Sequence, residues 1–135
     1  MKPAPAPAPD IDLRARDSRE RLARMVVALL DHWKLAPNDQ ALLLGLSAQS
    51  RSSIARYRRG EPLADSADLL ARAGHLLGIH KALRILFPHD RDLAYRWVTT
   101  PNRRFADATP LDVMKRHGYE GMLAVRRYLD FERGR

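Results

Sequence analysis

The chain is 135 residues long, with 24 Lys and Arg against 16 Asp and Glu, a formal net charge of +8, 45% hydrophobic residues and no Cys. That length gives one compact unit or two very small ones, which excludes a large multidomain enzyme, yet it suffices to bury roughly two-thirds of the unfolded surface without staples. The absence of Cys excludes disulfides, thiolate zinc sites, iron–sulfur clusters and a Cys nucleophile, and the basic excess points to an anionic partner, nucleic acid first.

Met1 and Lys2 are followed by Pro alternating with Ala up to Pro9. A proline at every second position cannot build the apolar helix of a secretory signal, so residues 1–16 read as a disordered, extended arm of polyproline II character. No apolar run approaches the roughly 20 residues of a membrane span, and a cytoplasmic location is the expectation. A first helix is predicted from Asp17 or Ser18, with Ser18 as its N-cap and Leu22, Met25, Val26, Leu29, Leu30 and Trp33 on one face. Pro37 ends that segment. A second runs from about Asn38 to Leu44 and closes at Gly45, and a third covers Ala48 to Arg59 with Ser47 as its cap. Asp65 or Ser66 caps a fourth, whose stripe of Leu69, Ala73, Leu76, Leu83 and Phe87 includes His80 as a core or interface histidine with a satisfied nitrogen. A fifth spans about Arg91 to Val98, with Trp97 inward, and 102–108 reads as a loop in which Asn102 satisfies backbone groups. Thr109-Pro110-Leu111-Asp112 is a good helix start, Gly118 ends that helix, and a last one from about Glu120 to Phe131 turns Met122, Val125 and Leu129 inward. No alternating strand pattern appears, so the fold is expected to be all-α.

The segment Gln40 to Gly60 reads as a helix-turn-helix: Ala41 permits close approach, Gly45 makes the turn, and Leu46, Ile54 and Tyr57 form the apolar underside of the second helix. With Ile54 inward, Gln49, Ser52, Arg56 and Arg59 come to the solvent side at spacings of three and four. Such a face suits the major groove, since Arg pairs bidentately with guanine, Gln with adenine, and Ser with either. Ser53, Arg51 and Arg58 complete the candidate DNA-binding set, and the arginines toward the helix end suit phosphate better than bases. Arg51 and Ser52 stand where many helix-turn-helix proteins have an apolar residue or Thr, which leaves the register of the reading face open by about one position.

Catalysis finds no support. Gly45-Leu46-Ser47-Ala48-Gln49 lacks the second Gly of a nucleophile elbow, there is no Gly-rich phosphate cradle, and the five histidines include no pair four apart on a helix. No catalytic residue, metal site or cofactor is expected.

Several separated motifs in order resemble the Xre/MbcA/ParS antitoxin family, the antitoxin partners of RES-domain toxins. They are Ser53 to Gly60, Leu76 to Pro88, Trp97 to Asn102 with Phe105, Thr109 to Met114, Gly118, and Val125 to Asp130. The resemblance covers about Leu22 to Arg135 and leaves the Pro-Ala arm outside. It implies an Xre/Cro-like helix-turn-helix bundle over 17–88 for dimerisation and operator binding, followed by a small helical toxin-binding domain over 89–135. It also implies that the cognate toxin consumes NAD and that the antitoxin covers its cleft with its C-terminal end. The candidate toxin-binding residues are Arg126, Arg127, Tyr128, Phe131, Arg133 and Arg135, aromatics and arginines being enriched at interface anchors. The bland alternative is that Tyr128 and Phe131 close the core while the arginines solvate the helix end. The partners expected are a RES-domain toxin, operator DNA and a second copy of the chain, with no membrane. The competing reading is a free-standing helix-turn-helix regulator without a toxin.

Overall fold

The computed structural model describes residues 12–47 and 50–135, so Gln49 and most of the N-terminal arm lie outside the described residues. Six α-helices and two single 3₁₀ turns make up the described chain, with no strand among them: α1 (Arg16–His32), α2 (Pro37–Leu43), α3 (Arg51–Arg58), α4 (Ala67–Leu86), α5 (Arg91–Arg96) and α6 (Pro110–Arg133). The all-α expectation holds.

Local signals set most helix ends. Ser66 accepts from the Leu69 N–H at 3.3 Å, and Asp90 from the Leu93 N–H at 3.0 Å. At α6 the capping box is complete: Thr109 Oγ1 accepts from Asp112 N–H at 3.0 Å, and the Asp112 carboxylate accepts from Thr109 N–H at 3.4 Å, with Pro110 in the first turn. Helix α2 closes at Gly45, whose φ of +75° lets Leu46 N–H reach back to the Ala41 carbonyl and Gly45 N–H to that of Leu42, both at 2.9 Å.

Several boundaries differ from expectation. Helix α1 begins at Arg16, with Ala15 at the cap position and Ser18 inside the helix, so Ser18 is not its cap. Residues 12–15 are already tied down, since Arg14 pairs with Asp65 at 2.6 Å. Nor does Ser47 cap α3, which starts at Arg51: Ser50 N–H bonds to the Ser47 carbonyl at 3.0 Å, and the two hydroxyls meet at 3.0 Å, which prolongs the turn between α2 and α3. The segment 102–108 holds a 3₁₀ turn, Arg103–Phe105, where Asn102 Oδ1 accepts from Arg104 N–H at 2.9 Å. The helix break expected at Gly118 is present: that glycine takes a non-helical φ of 59° and ψ of −133°, which suit only a residue without a side chain, and α6 turns there in a sharp kink between two helical halves.

The apolar residues of every helix join in one buried cluster. It runs from Val26, Leu30 and Trp33 of the α1 segment through Leu43 and Ile54 to Leu76, Ile79 and Leu83 of α4 and to Met122, Val125 and Leu129 of α6. Helix α4 is the central element: α6, α1 and α5 all pack on it, and α6 most extensively. Lys115, before the kink, pairs with Asp39 of α2 at 3.0 Å, so the first half of α6 braces α2.

Candidate functional site

Helix α3 buries Ile54 and Tyr57 against α1 and α2 and leaves Ser52, Arg56 and Arg59 exposed, with Ser53 half-buried. Three of its arginines are held by the protein itself. Arg51 donates to Asn38 Oδ1 at 2.9 Å, and Arg56 donates to Ser53 Oγ at 3.2 Å and pairs with Glu61 at 3.4 Å. Arg58 is the most engaged: its guanidinium grips the Asp31 carboxylate with bonds of 2.9 and 3.2 Å and reaches Gln40 Oε1 at 3.3 Å. Gln40, only 3% exposed, also donates to Asp31 at 2.9 Å and to the Leu35 carbonyl at 3.1 Å. This network ties α1, α2 and α3 together, and the hydrogen bonds from Arg58 hold the Asp31 carboxyl below its usual value. The geometry gives Arg58 a framework role and leaves Ser52, Arg56 and Arg59 as the outward-facing set.

The C-terminal candidates separate in the same way. Tyr128 is half-buried in an aromatic group. Its ring is parallel to that of Trp97 at 6.2 Å and meets Phe105 edge-on at 5.4 Å, while Trp97 and Phe105 meet at 6.4 Å. Phe131, one turn on, is 64% exposed. Arg127 is exposed, Arg133 lies 3.8 Å from Asp130, and Arg135 pairs with Glu132 at 3.2 Å.

Arg126 turns inward across α4. Its Nη1 donates to His75 Nδ1 at 2.8 Å, and its guanidinium lies over Gly78, where a Cβ would stand 2.7 Å from Arg126 Cζ. A guanidinium only donates, so His75 Nδ1 is the acceptor and the neutral ring carries its proton on Nε2, which donates to Tyr119 Oη at 3.0 Å. Arg72 covers the Tyr119 ring, 5.5 Å from its centre.

A second histidine pair frames α5. Tyr95 is sandwiched between His32 of α1 (4.7 Å, 17° between planes) and His80 of α4 (4.9 Å, 11°). His80 Nδ1 is buried with no hydrogen-bond partner among the described residues, which corrects the expectation of a satisfied nitrogen: the contact recorded for this ring is the stack on Tyr95, and a stacked ring offers nothing to a nitrogen that bonds in the ring plane.

His75 and His80 titrate below the usual histidine value of 6.5. Burial is the main cause for each, reinforced by Arg126 at His75 and by Arg84 and His32 at His80. As pH falls below 6.5 the unfolded chain therefore takes up protons at these sites before the folded chain does. Their neutral forms leave stability intact above that pH, and stability is lost as pH falls toward the lowered folded values. Melting temperatures should drop between about pH 7.5 and 5, and the drop should shrink in a His75→Gln/His80→Gln variant; an equal drop would place the acid sensitivity elsewhere. Asp31 acts in a separate window, stabilising above 3.8 and losing its contribution as pH falls through its lowered folded value.

Comparison with known proteins adds two findings. Residues 82–135 match the family model described as the antitoxin Xre/MbcA/ParS C-terminal toxin-binding domain. Uncharacterized protein y4oB of Sinorhizobium fredii (strain NBRC 101917 / NGR234) is 37% identical over 106 residues, covering 78% of this chain and 79% of that protein. Among the described residues no helix is long and apolar enough to cross a membrane.

Proposed function

The chain belongs to the Xre/MbcA/ParS antitoxin family, and on that premise we propose that it neutralises a RES-domain, NAD-degrading toxin and represses its own operon by binding operator DNA. The observation that carries the reading is the toxin-binding domain match over 82–135, which includes an exposed Phe131 flanked by Arg127, Arg133 and Arg135. An exposed aromatic among arginines has the composition of an interface anchor, and a cationic chain end suits the anion-binding cleft of a nucleotide-consuming enzyme. In this reading the chain works without catalysis or a cofactor, in the cytoplasm. Residues 17–88 dimerise and bind DNA, and residues 89–135 bind toxin.

For the DNA half, Ser52, Arg56 and Arg59 supply the reading face, with Ser53 beside them and Arg51 on phosphate, and Gln49 joins the set by its sequence spacing alone. Arg58 orients that face through Asp31 and Gln40. Arg56→Ala should weaken operator binding by about 1–3 kcal/mol at fixed salt, and an unchanged gel shift would remove Arg56 from the interface. For the toxin half, the product of the neighbouring reading frame should be a RES-domain protein that co-elutes with the full chain in size-exclusion chromatography. Separate elution, with operator binding retained, would favour a free-standing regulator instead.

A further inference from the structure

A groove of about 910 Å³ lies between α1, α4 and α5, on the side of α4 away from its buried stripe. Its apolar surface includes Met25 of α1 and Ile85 of α4, two of the most exposed large hydrophobic side chains among the described residues, at 50% and 48%. Cations edge it: Lys81 and Arg84 from α4, spaced so that both fall on the side of Leu77, and Arg91 from the start of α5. All three are exposed, and none forms an ion pair with a carboxylate among the described residues. The nearby Asp90 carboxylate is committed to capping α5 through the Leu93 N–H.

We infer that this groove receives an acidic amphipathic segment of the toxin partner, a contact separate from the C-terminal end; the inference rests on the toxin-binding reading above. Charge complementarity selects the occupant. A second copy on the same face would bring Lys81, Arg84 and Arg91 toward their own like charges, which is repulsive. Duplex DNA would satisfy the cations and leave Met25 and Ile85 against a polyanion, with no apolar surface buried. An acidic amphipathic helix satisfies both, laying its apolar face on Met25, Leu77 and Ile85 and its carboxylates along the cationic edge. The location agrees, because Arg84, Ile85, Arg91 and Tyr95 fall within the segment that matches the toxin-binding domain.

The test measures binding of the purified toxin from the neighbouring reading frame to the full-length chain. It compares wild type with Lys81→Glu/Arg84→Glu/Arg91→Glu and with Ile85→Glu, all at exposed positions. The charge reversal should weaken toxin binding about 30-fold and Ile85→Glu about 10-fold, with circular dichroism and melting unchanged. The charge-reversed variant should also lose most of the salt dependence of the association rate. Wild-type affinity in both variants would overturn the groove assignment and leave the antitoxin reading standing. Toxin affinity unchanged with dimerisation lost, or with operator binding lost, would overturn it in favour of a second copy or of DNA. Failure of the wild-type chain to bind toxin would remove the antitoxin reading and this contact with it.

Discussion

Replacing Gly121 with Ala should lower the melting temperature by roughly 8–15 °C, the effect of about 2–4 kcal/mol lost in a chain of this size. A Cβ at Gly121 would stand 2.3 Å from the Val113 carbonyl oxygen and 3.1 Å from the His117 Cβ. The first of these is backbone, so no side-chain rotation relieves the overlap, and the two halves of α6 must separate at the kink. That kink depends on Gly118 at φ +59°, and it holds Met114 and Met122 in the core while Lys115 reaches Asp39. Differential scanning calorimetry reads the shift. A melting temperature within about 2 °C of wild type would show that the close approach at Val113 is not a constraint on the fold.

Changing the exposed end of α6 should have the largest effect on partner binding. Phe131→Asp combined with Arg127→Glu is expected to reduce toxin affinity about 100-fold with the melting temperature unchanged, because Phe131 is 64% exposed and Arg127 has no carboxylate partner among the described residues. Deleting Arg126 to Arg135 is a poorer experiment. It removes Leu129, which is 1% exposed, together with the Tyr128 ring beside Trp97 and Phe105 and the Arg126 bond to His75, so lost neutralisation would report lost packing. Titration calorimetry on the double variant separates the two, and an affinity within threefold of wild type would move the toxin contact away from this end of the helix.

The features legible in the sequence were those whose cause is local. Gly45, Ser66 and the Thr109–Asp112 box work within four residues of themselves, and each appears where the pattern places it. The inward faces of α4 and α6 were legible for the same reason, since period and apolarity are properties of one helix. Long-range partners were not. Arg58 and Arg126 read as free cations in a basic run, yet their partners Asp31 and His75 lie 27 and 51 residues away. Gln40 carried a usable signal as a lone amide among Ala41, Leu42, Leu43 and Leu44, because a buried amide demands partners. The His32–Tyr95–His80 stack combines side chains from three helices, and only the place of His80 in the α4 stripe hinted at it. The start of α3 is not legible because two serines, Ser47 and Ser50, compete for the same turn and only the later one stands next to the helix.

The excess positive charge accordingly has three destinations. Part is spent inside the protein, by Arg58 and Arg126. Part remains on the outward side of α3, at Arg56 and Arg59. A third part lies on the family's toxin-binding segment and its edge, at Lys81, Arg84, Arg91 and Arg127. We propose operator DNA as the partner of the second group and the toxin as the partner of the third.

The most direct measurement is NAD consumption by the purified toxin from the neighbouring reading frame as the full-length chain is titrated in. Inhibition that rises linearly and is complete at a fixed stoichiometric ratio, with the two proteins eluting together, is the predicted result. NAD consumption that continues undiminished at an excess of the chain would contradict it.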